Sequence, residues 1–335
     1  MTTGPKTGAT LYAFTNEYLT GRFSFEGLLR EIAKRGLGPG VEVVGFQSIR
    51  SFPDVDDAFV ERFKALVGEL ALQPTSLAIN SDRFLKPGQP ISDAALIDYH
   101  KRQMRAAVKL GFPLVRYQFS TPPHIVRELA PFAEDLGLKM GLEVHAPAYA
   151  DHPMVIAYRE VYDELDSPAL GWIPDFGGTA ERLPASLLNA ARERGVPEGL
   201  IDLLLAIWPE KGPPPERVGR LREYALRGGY DPAHIQIVSL PFFILSNEDP
   251  KSWAALVDRT IHIHGKFYGV GDDGREEAID YETILPLFRD GGFNGSMASE
   301  WEGHAYCVAD AFDQVARHQA MCNRILERDD NEVTA

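Results

Sequence analysis

The chain has 335 residues, 44% hydrophobic and 10% aromatic, enough to bury a large core as one large domain or two smaller ones. Thirty-four basic against 48 acidic residues give a formal charge of −14, which argues against a nucleic-acid backbone or an anionic membrane as the principal partner. Met1 to Thr10 carry no apolar signal-peptide core and no apolar run is long enough to span a bilayer, so a cytoplasmic protein with no membrane segment is expected.

From the N-terminus the pattern is strand then helix, repeated, with no shift of composition that would mark a linker. Thr10 to Phe14 reads as a first strand, and Phe23 to Arg35 places Phe25, Leu28, Leu29 and Ile32 at helical spacing. Gly40 to Phe46 is the second strand and Asp56 to Leu72 its helix. Pro74 to Asn80 is the third, followed by a helix over Ser92 to Leu110 that Ser92 caps. Pro113 to Phe119 and a helix from Pro123 to Leu136 make the fourth pair. Lys139 to His145 is a fifth strand, the run ending at Asp175 a sixth, Thr260 to Lys266 a seventh and Ser296 to Glu302 an eighth. A helix from Val308 to Glu327 follows, and 328–335 is expected to be a disordered polar tail. Cys307 and Cys322, fifteen residues apart, fit neither a CxxC site nor a disulfide framework and are expected as free thiols on that last helix.

Eight strands each followed by a helical pattern predict a (β/α)₈ TIM barrel forming one domain over 1–335. About 80 residues separate Asp175 from the seventh strand, so a helical insertion at about 180–250 is expected between strands six and seven. It contains helical patterns over Pro197 to Ile207 and Arg217 to Arg227. Such an insertion serves as a lid, as a partner surface or as decoration.

In a strand, side chains at i and i+2 share a face. Glu143 and His145 therefore stand side by side, as do His262, His264 and Lys266. In a barrel of this kind the active site lies at the C-terminal ends of the strands, where Glu143, His145, Asp175, His264 and Glu300 all fall. Three carboxylates with one imidazole, Glu143, Asp175, Glu300 and His264, suit Mn²⁺ or Mg²⁺ first, with Co²⁺ and Zn²⁺ as alternatives. Gly269 to Gly274 superficially suggests a phosphate loop, but Asp272 and Asp273 would repel phosphate, and it reads as a turn.

The stretch Asp280 to Glu300, with its Gly291-Gly-Phe293-Asn-Gly295 core, resembles the closing motif of the xylose-isomerase-like sugar isomerase and epimerase barrels. In those barrels the terminal Glu binds a divalent metal. Gly-Leu-Glu143, Pro-Asp175 and His262-Ile-His264 match the other metal-ligand motifs in order, which implies His264 as the ligand and His262 in a substrate or supporting role. Ketose 3-epimerases place a His three residues after the metal Asp, where this chain has Gly178, and an acid six residues after the first Glu, where it has Tyr149.

A closer resemblance is to the alpha subunit of bacterial C-glycoside deglycosidases. It is carried by Leu11 to Tyr18, Val43 to Pro53, Gly-Leu-Glu143-Val-His145-Ala-Pro and Ser299-Glu-Trp-Glu302-Gly-His304. The resemblance implies a metal-dependent lyase acting on a 3-oxo-C-glycoside, and a small beta-subunit partner. A metal on the C2 and C3 oxygens would stabilise the enediolate left when C2 loses its proton, and β-elimination would expel the aglycone. His145, an imidazole beside the expected metal, is the expected general acid/base, with Glu143 and Glu300 able to share proton transfer. His262, Lys266, Arg116, Gln118, Glu302 and His304 are candidate substrate contacts. Phe14, Phe46, Trp208, Phe242, Phe243 and Trp301 are available to line a site for an aryl aglycone. The alternative is an aldose–ketose isomerase or 3-epimerase on a sugar or sugar phosphate. A DNA endonuclease of related fold fails on the acidic balance, and a metal-free scaffold is disfavoured because all four ligand positions are filled.

Overall fold

A computed structural model describes residues 4–82 and 88–332, with side chains up to Glu327. Eight strands, β1 (Lys6–Thr10), β2 (Gly40–Val44), β3 (Gln73–Ala78), β4 (Leu114–Tyr117), β5 (Lys139–Val144), β6 (Leu170–Pro174), β7 (Ile263–Phe267) and β8 (Ser296–Trp301), form one parallel sheet. Their order is β6-β5-β4-β3-β2-β1-β8-β7. Single parallel bridges Trp172 to Thr260 and Asp175 to His264 join its two ends, so the sheet curls into a nearly closed (β/α)₈ barrel. Among the described residues no helix is long and apolar enough to cross a membrane.

The surrounding helices start where the sequence supplies caps. Ser24, Asp56 and Ser92 accept hydrogen bonds from the amides of Gly27, Phe59 and Ala95, opening Phe25–Lys34, Asp57–Glu69 and Asp93–Leu110. The last of these ends at Gly111, whose φ of 89° closes the helix at no steric cost. Apolar stripes such as Leu28, Leu29 and Ile32 pack onto the sheet and join a single continuous core.

Several boundaries differ from the sequence reading. Leu11–Phe14 is a 3₁₀ turn after β1, which itself begins earlier at Lys6. Thr10 Oγ1 accepts from Tyr12 N and Thr15 Oγ1 donates to Tyr12 O, so local side-chain bonds turn the chain where apolar composition suggested a strand. The last helix is Ala311–Glu332, later at both ends than expected, and positions 333–335 of the expected tail lie outside the described residues. Both cysteines are free, but only Cys322 is on that helix, since Cys307 lies in the loop before it. Gly269 to Gly274 is part of a tight turn closed by a bridge from Val270 to Glu276.

The segment between β6 and β7 is helical. It holds Ala185–Glu193, Glu198–Ile207, Pro214–Arg227, Pro232–Ser239 and Pro241–Ile244, then a 3₁₀ stretch Pro250–Arg259. Buried Arg217 is its internal staple, donating to Trp208 O, Glu210 O and Asn247 Oδ1 against the Trp208 and Phe242 rings. Trp253 Nε1 donates to Thr179 Oγ1, and Thr179 bridges to Asn247, tying the segment to the end of β6.

Candidate active site

Alternation carries one polar side chain after another from the strands into the barrel. Glu143 on β5, Asp175 just past β6, His264 on β7 and Glu300 on β8 are all buried, and each offers one ligand atom within 4.8 Å of the others. His264 Nδ1 lies 2.9 Å from Glu143 Oε1 and 3.1 Å from Glu300 Oε2. Below Glu143, Gly141 leaves the barrel to Ile173: a Cβ there would fall 2.4 Å from Ile173 Cδ1. The apolar packing of the barrel base thus stops just under the charged layer.

Two cations thread these acids. Arg116 Nη1 donates to Glu143 Oε2, which also accepts from Gln118 Nε2 at 2.7 Å. Lys266 Nζ lies 2.9 Å from Asp175 Oδ2, 3.4 Å from Glu302 Oε2 and 3.6 Å from Glu300 Oε2. Burial alone would raise Glu143, but Arg116 and His264 outweigh it and hold the carboxyl well below its usual range. Burial likewise opposes the charge on Lys266, and Asp175, Glu300 and Glu302 more than restore it. Burial is also the largest influence on Glu300, yet Lys266 and His264 bring it down to about 2. Asp175 is the exception: burial, with Glu300 and Glu143 nearby, raises it to about 6 despite Lys266.

The donor set fits a divalent cation. Asp175 Oδ2 is buried and makes no hydrogen bond, although Lys266 stands close. Despite burial, Glu42 and Glu300 raise His264 well above the usual imidazole range. Once that ring gives up its extra proton to ligate, the carboxylates of Glu42, Glu143, Asp175 and Glu300 outnumber Arg116 and Lys266 by two charges, which such a cation would neutralise. Oxygen-rich ligation with a single imidazole is of the type that suits Mn²⁺ and Mg²⁺.

A cavity of about 210 Å³ opens over this cluster. Glu143, Glu300, Lys266, Arg116, Gln118 and His145 line it, with Tyr12 and Glu302 on one flank and Phe46 at the rim. His145 Nδ1 is 2.8 Å from Ala146 O. A carbonyl only accepts, so that nitrogen carries the proton and the neutral ring keeps its lone pair on Nε2. Phe119 packs against the ring at 5.6 Å.

The other expected contacts divide. Lys266, Gln118 and Glu302 reach the cavity, the last accepting from Tyr12 OH at 3.2 Å. Arg116 also lines it, but is buried and committed to Glu143 and Glu42. His262 and His304 are not among the lining residues. His262 is buried below, its Nε2 3.4 Å from Glu42, and His304 stands behind Tyr12, donating from Nδ1 to Trp301 O. Of the six aromatics expected to line the site only Phe46 does so, 50% exposed. Phe14, Trp208, Phe242 and Trp301 are core residues, and Phe243 is exposed on the insertion. Among the described residues, none of 180–250 lines this cavity.

Two residues had gone unnoticed in the sequence. The strand expected over Thr10 to Phe14 hides Tyr12 in its interior. Glu42 is fully buried on β2, and its Oε2 lies 2.8 Å from His264 Nε2. The signal available for Glu42 was a lone acid inside the apolar run Gly-Val-Glu-Val-Val, a placement that costs free energy unless the acid is paired.

Comparison with known proteins agrees with this architecture. The chain is 36% identical to the 3'-dehydrocarminate deglycosidase alpha subunit of a Microbacterium species, over 96% of this chain and 95% of that one. It is also 36% identical to a C-glycoside deglycosidase alpha subunit of Arthrobacter globiformis, over 95% of this chain and 89% of the relative. No family model matches. Among solved structures, D-psicose 3-epimerase from Clostridium cellulolyticum aligns with a TM-score of 0.55 at 13% identity, covering 90% of this chain and 94% of its own. A xylose isomerase-like TIM barrel protein from Mycobacterium smegmatis, solved with magnesium, aligns at 0.54 and 14% identity, covering 97% of each. At such identities the likeness is one of fold alone.

Proposed function

The chain belongs to the family of C-glycoside deglycosidase alpha subunits, and from that membership we propose that it is the larger subunit of a metal-dependent lyase that cleaves the carbon–carbon glycosidic bond of a 3-oxo-C-glycoside. The C3 ketone acidifies the C2 hydrogen. Loss of that proton leaves an electron pair that forms the C1–C2 double bond as the C1–aglycone bond breaks. The departing carbon takes up a proton, so the net change is one proton moved from C2 to the aglycone, with no oxidant or reductant.

Glu143, Asp175, His264 and Glu300 would hold a divalent cation, with Mn²⁺ the first candidate, which would supply Lewis-acid polarisation of the ketone. The observation that carries the proposal is His145, with Nδ1 committed to Ala146 O and its lone pair on Nε2, lining the cavity over that cluster. This histidine takes the C2 proton and returns it to the aglycone carbon. Glu143 is poorly suited to the task, because Arg116, Gln118 and His264 occupy both its oxygens. Glu300 is the second candidate for proton relay. Lys266, Gln118 and Glu302 meet the sugar hydroxyls, while Arg116 and His262 support the charged layer beneath. About 210 Å³ is small for a whole C-glycoside, so the sugar enters and the aglycone lies against Phe46 at the rim.

Relatives named as alpha subunits support a smaller partner chain. The insertion supports it as well: Leu205, Tyr224, Leu226, Leu240 and Phe243 are each between 41% and 59% exposed there. Against an epimerase stands Gly178. A Cβ at that position would sit 3.0 Å from Ala148 O and 3.1 Å from the Trp253 ring, so a side chain there requires both neighbours to shift.

The test is to identify products by mass spectrometry after incubating the chain, its small subunit and Mn²⁺ with a 3-oxo-C-glucoside and, separately, with a ketose. Free aglycone that vanishes in His145→Ala and Glu143→Ala supports the lyase. Epimerised ketose with no aglycone would overturn it.

A further inference from the structure

We propose that Glu42 is a positioning residue for the metal centre, selecting which nitrogen of His264 faces the ligand cluster. This role rests on the metal centre proposed above. Glu42 is outside the four-ligand set, fully buried in β2. Its two oxygens lie 3.0 and 2.8 Å from His264 Nε2, on the far side of the ring from Glu143 and Glu300. An ionised carboxylate accepts hydrogen bonds and donates none, so Nε2 must carry a proton. In the neutral ring the lone pair is then left on Nδ1, the nitrogen that points at Glu143 Oε1 and Glu300 Oε2. Glu42 thereby holds the rotation of the ring, so that Nδ1 is the nitrogen turned toward the ligand cluster.

The fold itself has no need of this acid. Its strand neighbours Val41, Val43 and Val44 are buried apolar residues, and an unpaired carboxylate among them would be costly. Instead it is held from several directions: Thr10 Oγ1 donates at 3.1 Å, Arg116 Nε lies at 3.4 Å and His262 Nε2 at 3.4 Å. Arg116 also binds Glu143, so one guanidinium spaces a ligand and the residue that orients another ligand. Glu42, His262 and His264 are close enough to suggest a second cation site. That cluster would need His264 Nε2, which already donates to Glu42, so one ion per chain is expected.

The experiment is calorimetric titration of the metal-free protein with Mn²⁺ for wild type, Glu42→Gln and Glu42→Ala, with melting temperatures of the metal-free forms. Outer partners of this kind are worth about 10–100-fold in affinity. The Ala variant is expected to lose that much and the Gln variant, which keeps an acceptor oxygen, several-fold less. One ion binds per chain, and the metal-free Gln variant melts close to wild type. Unchanged affinity, equal losses in Gln and Ala, or two ions per chain would overturn the proposal. If the Ala variant does not fold, the Gln variant decides alone: weaker binding at unchanged melting temperature supports the role, and unchanged binding refutes it. Wild type that binds no Mn²⁺ would instead overturn the metal centre itself.

Discussion

At the scale of single residues, the site is a set of charges whose protonation is set by what surrounds them. His145 differs from its neighbours in touching no metal-ligand carboxylate through hydrogen bonds, its one recorded bond being to Ala146 O. His145→Ala should therefore lower aglycone release by about 10²–10⁴-fold while leaving Mn²⁺ affinity at the wild-type value, as steady-state kinetics and calorimetry would show. Loss of metal binding in that variant would move His145 from proton transfer to ligation. A second histidine reports on stability. His318 is buried against Phe267 and Ser299, and burial lowers it from its ordinary 6.5 to about 3. Between those values the unfolded chain binds a proton that the folded chain does not. The stability contributed by the neutral ring is thus complete above pH 6.5 and is lost as pH falls toward 3, by about 1.4 kcal/mol per unit. From pH 6.5 to 5 the stability gap between wild type and His318→Gln should narrow by about 2 kcal/mol in denaturant titrations. A constant gap would contradict the assignment. Asp175 was legible as an acid closing an apolar run, and Glu143, His145, His264 and Glu300 because each has a second polar side chain two positions away. Glu42 was not, because alternation gives a residue's face and says nothing of its depth, and no second polar side chain stands two positions away in β2.

At the scale of elements, strands and caps followed from composition, and the misreadings have local causes. The run from Leu11 to Phe14 is apolar enough for a strand, yet Thr10 and Thr15 bond to the backbone of Tyr12 and fold it into a turn. That turn is what presents the Tyr12 hydroxyl to Glu302. The loop after β6 shows the converse, a position where the sequence carried the decisive information. Gly178 lies between Ala148 O and the Trp253 ring, and Trp253 is pinned by Thr179. Gly178→Ala should cost about 1–3 kcal/mol by overpacking, measurable by denaturant unfolding, and Gly178→His more. An unchanged midpoint in both would show that the loop yields freely, and that a histidine at this position, as in the ketose 3-epimerases, could be accommodated.

At the scale of the whole molecule, the barrel brings together residues more than two hundred positions apart, such as Glu42 and His264, which no local pattern links. The order of motifs made the barrel recoverable from sequence, and the insertion was recoverable as an excess of chain between strands. Its role was not, since exposure is a property of the folded surface. The insertion is stapled by Arg217 and leaves Leu205, Tyr224, Leu226, Leu240 and Phe243 exposed, none of them lining the cavity. Leu226→Asp combined with Phe243→Asp should abolish co-elution with the small subunit in size-exclusion chromatography at unchanged melting temperature. Retained co-elution would place the interface elsewhere. The central claim is that the four-ligand cluster and the cavity above it form one metal-dependent deglycosidase centre. Its most direct test is aglycone release from a 3-oxo-C-glucoside by the wild-type complex before chelation, after chelation and after return of Mn²⁺. Loss on chelation and recovery with the metal is the predicted result, and undiminished release after complete metal removal would contradict it.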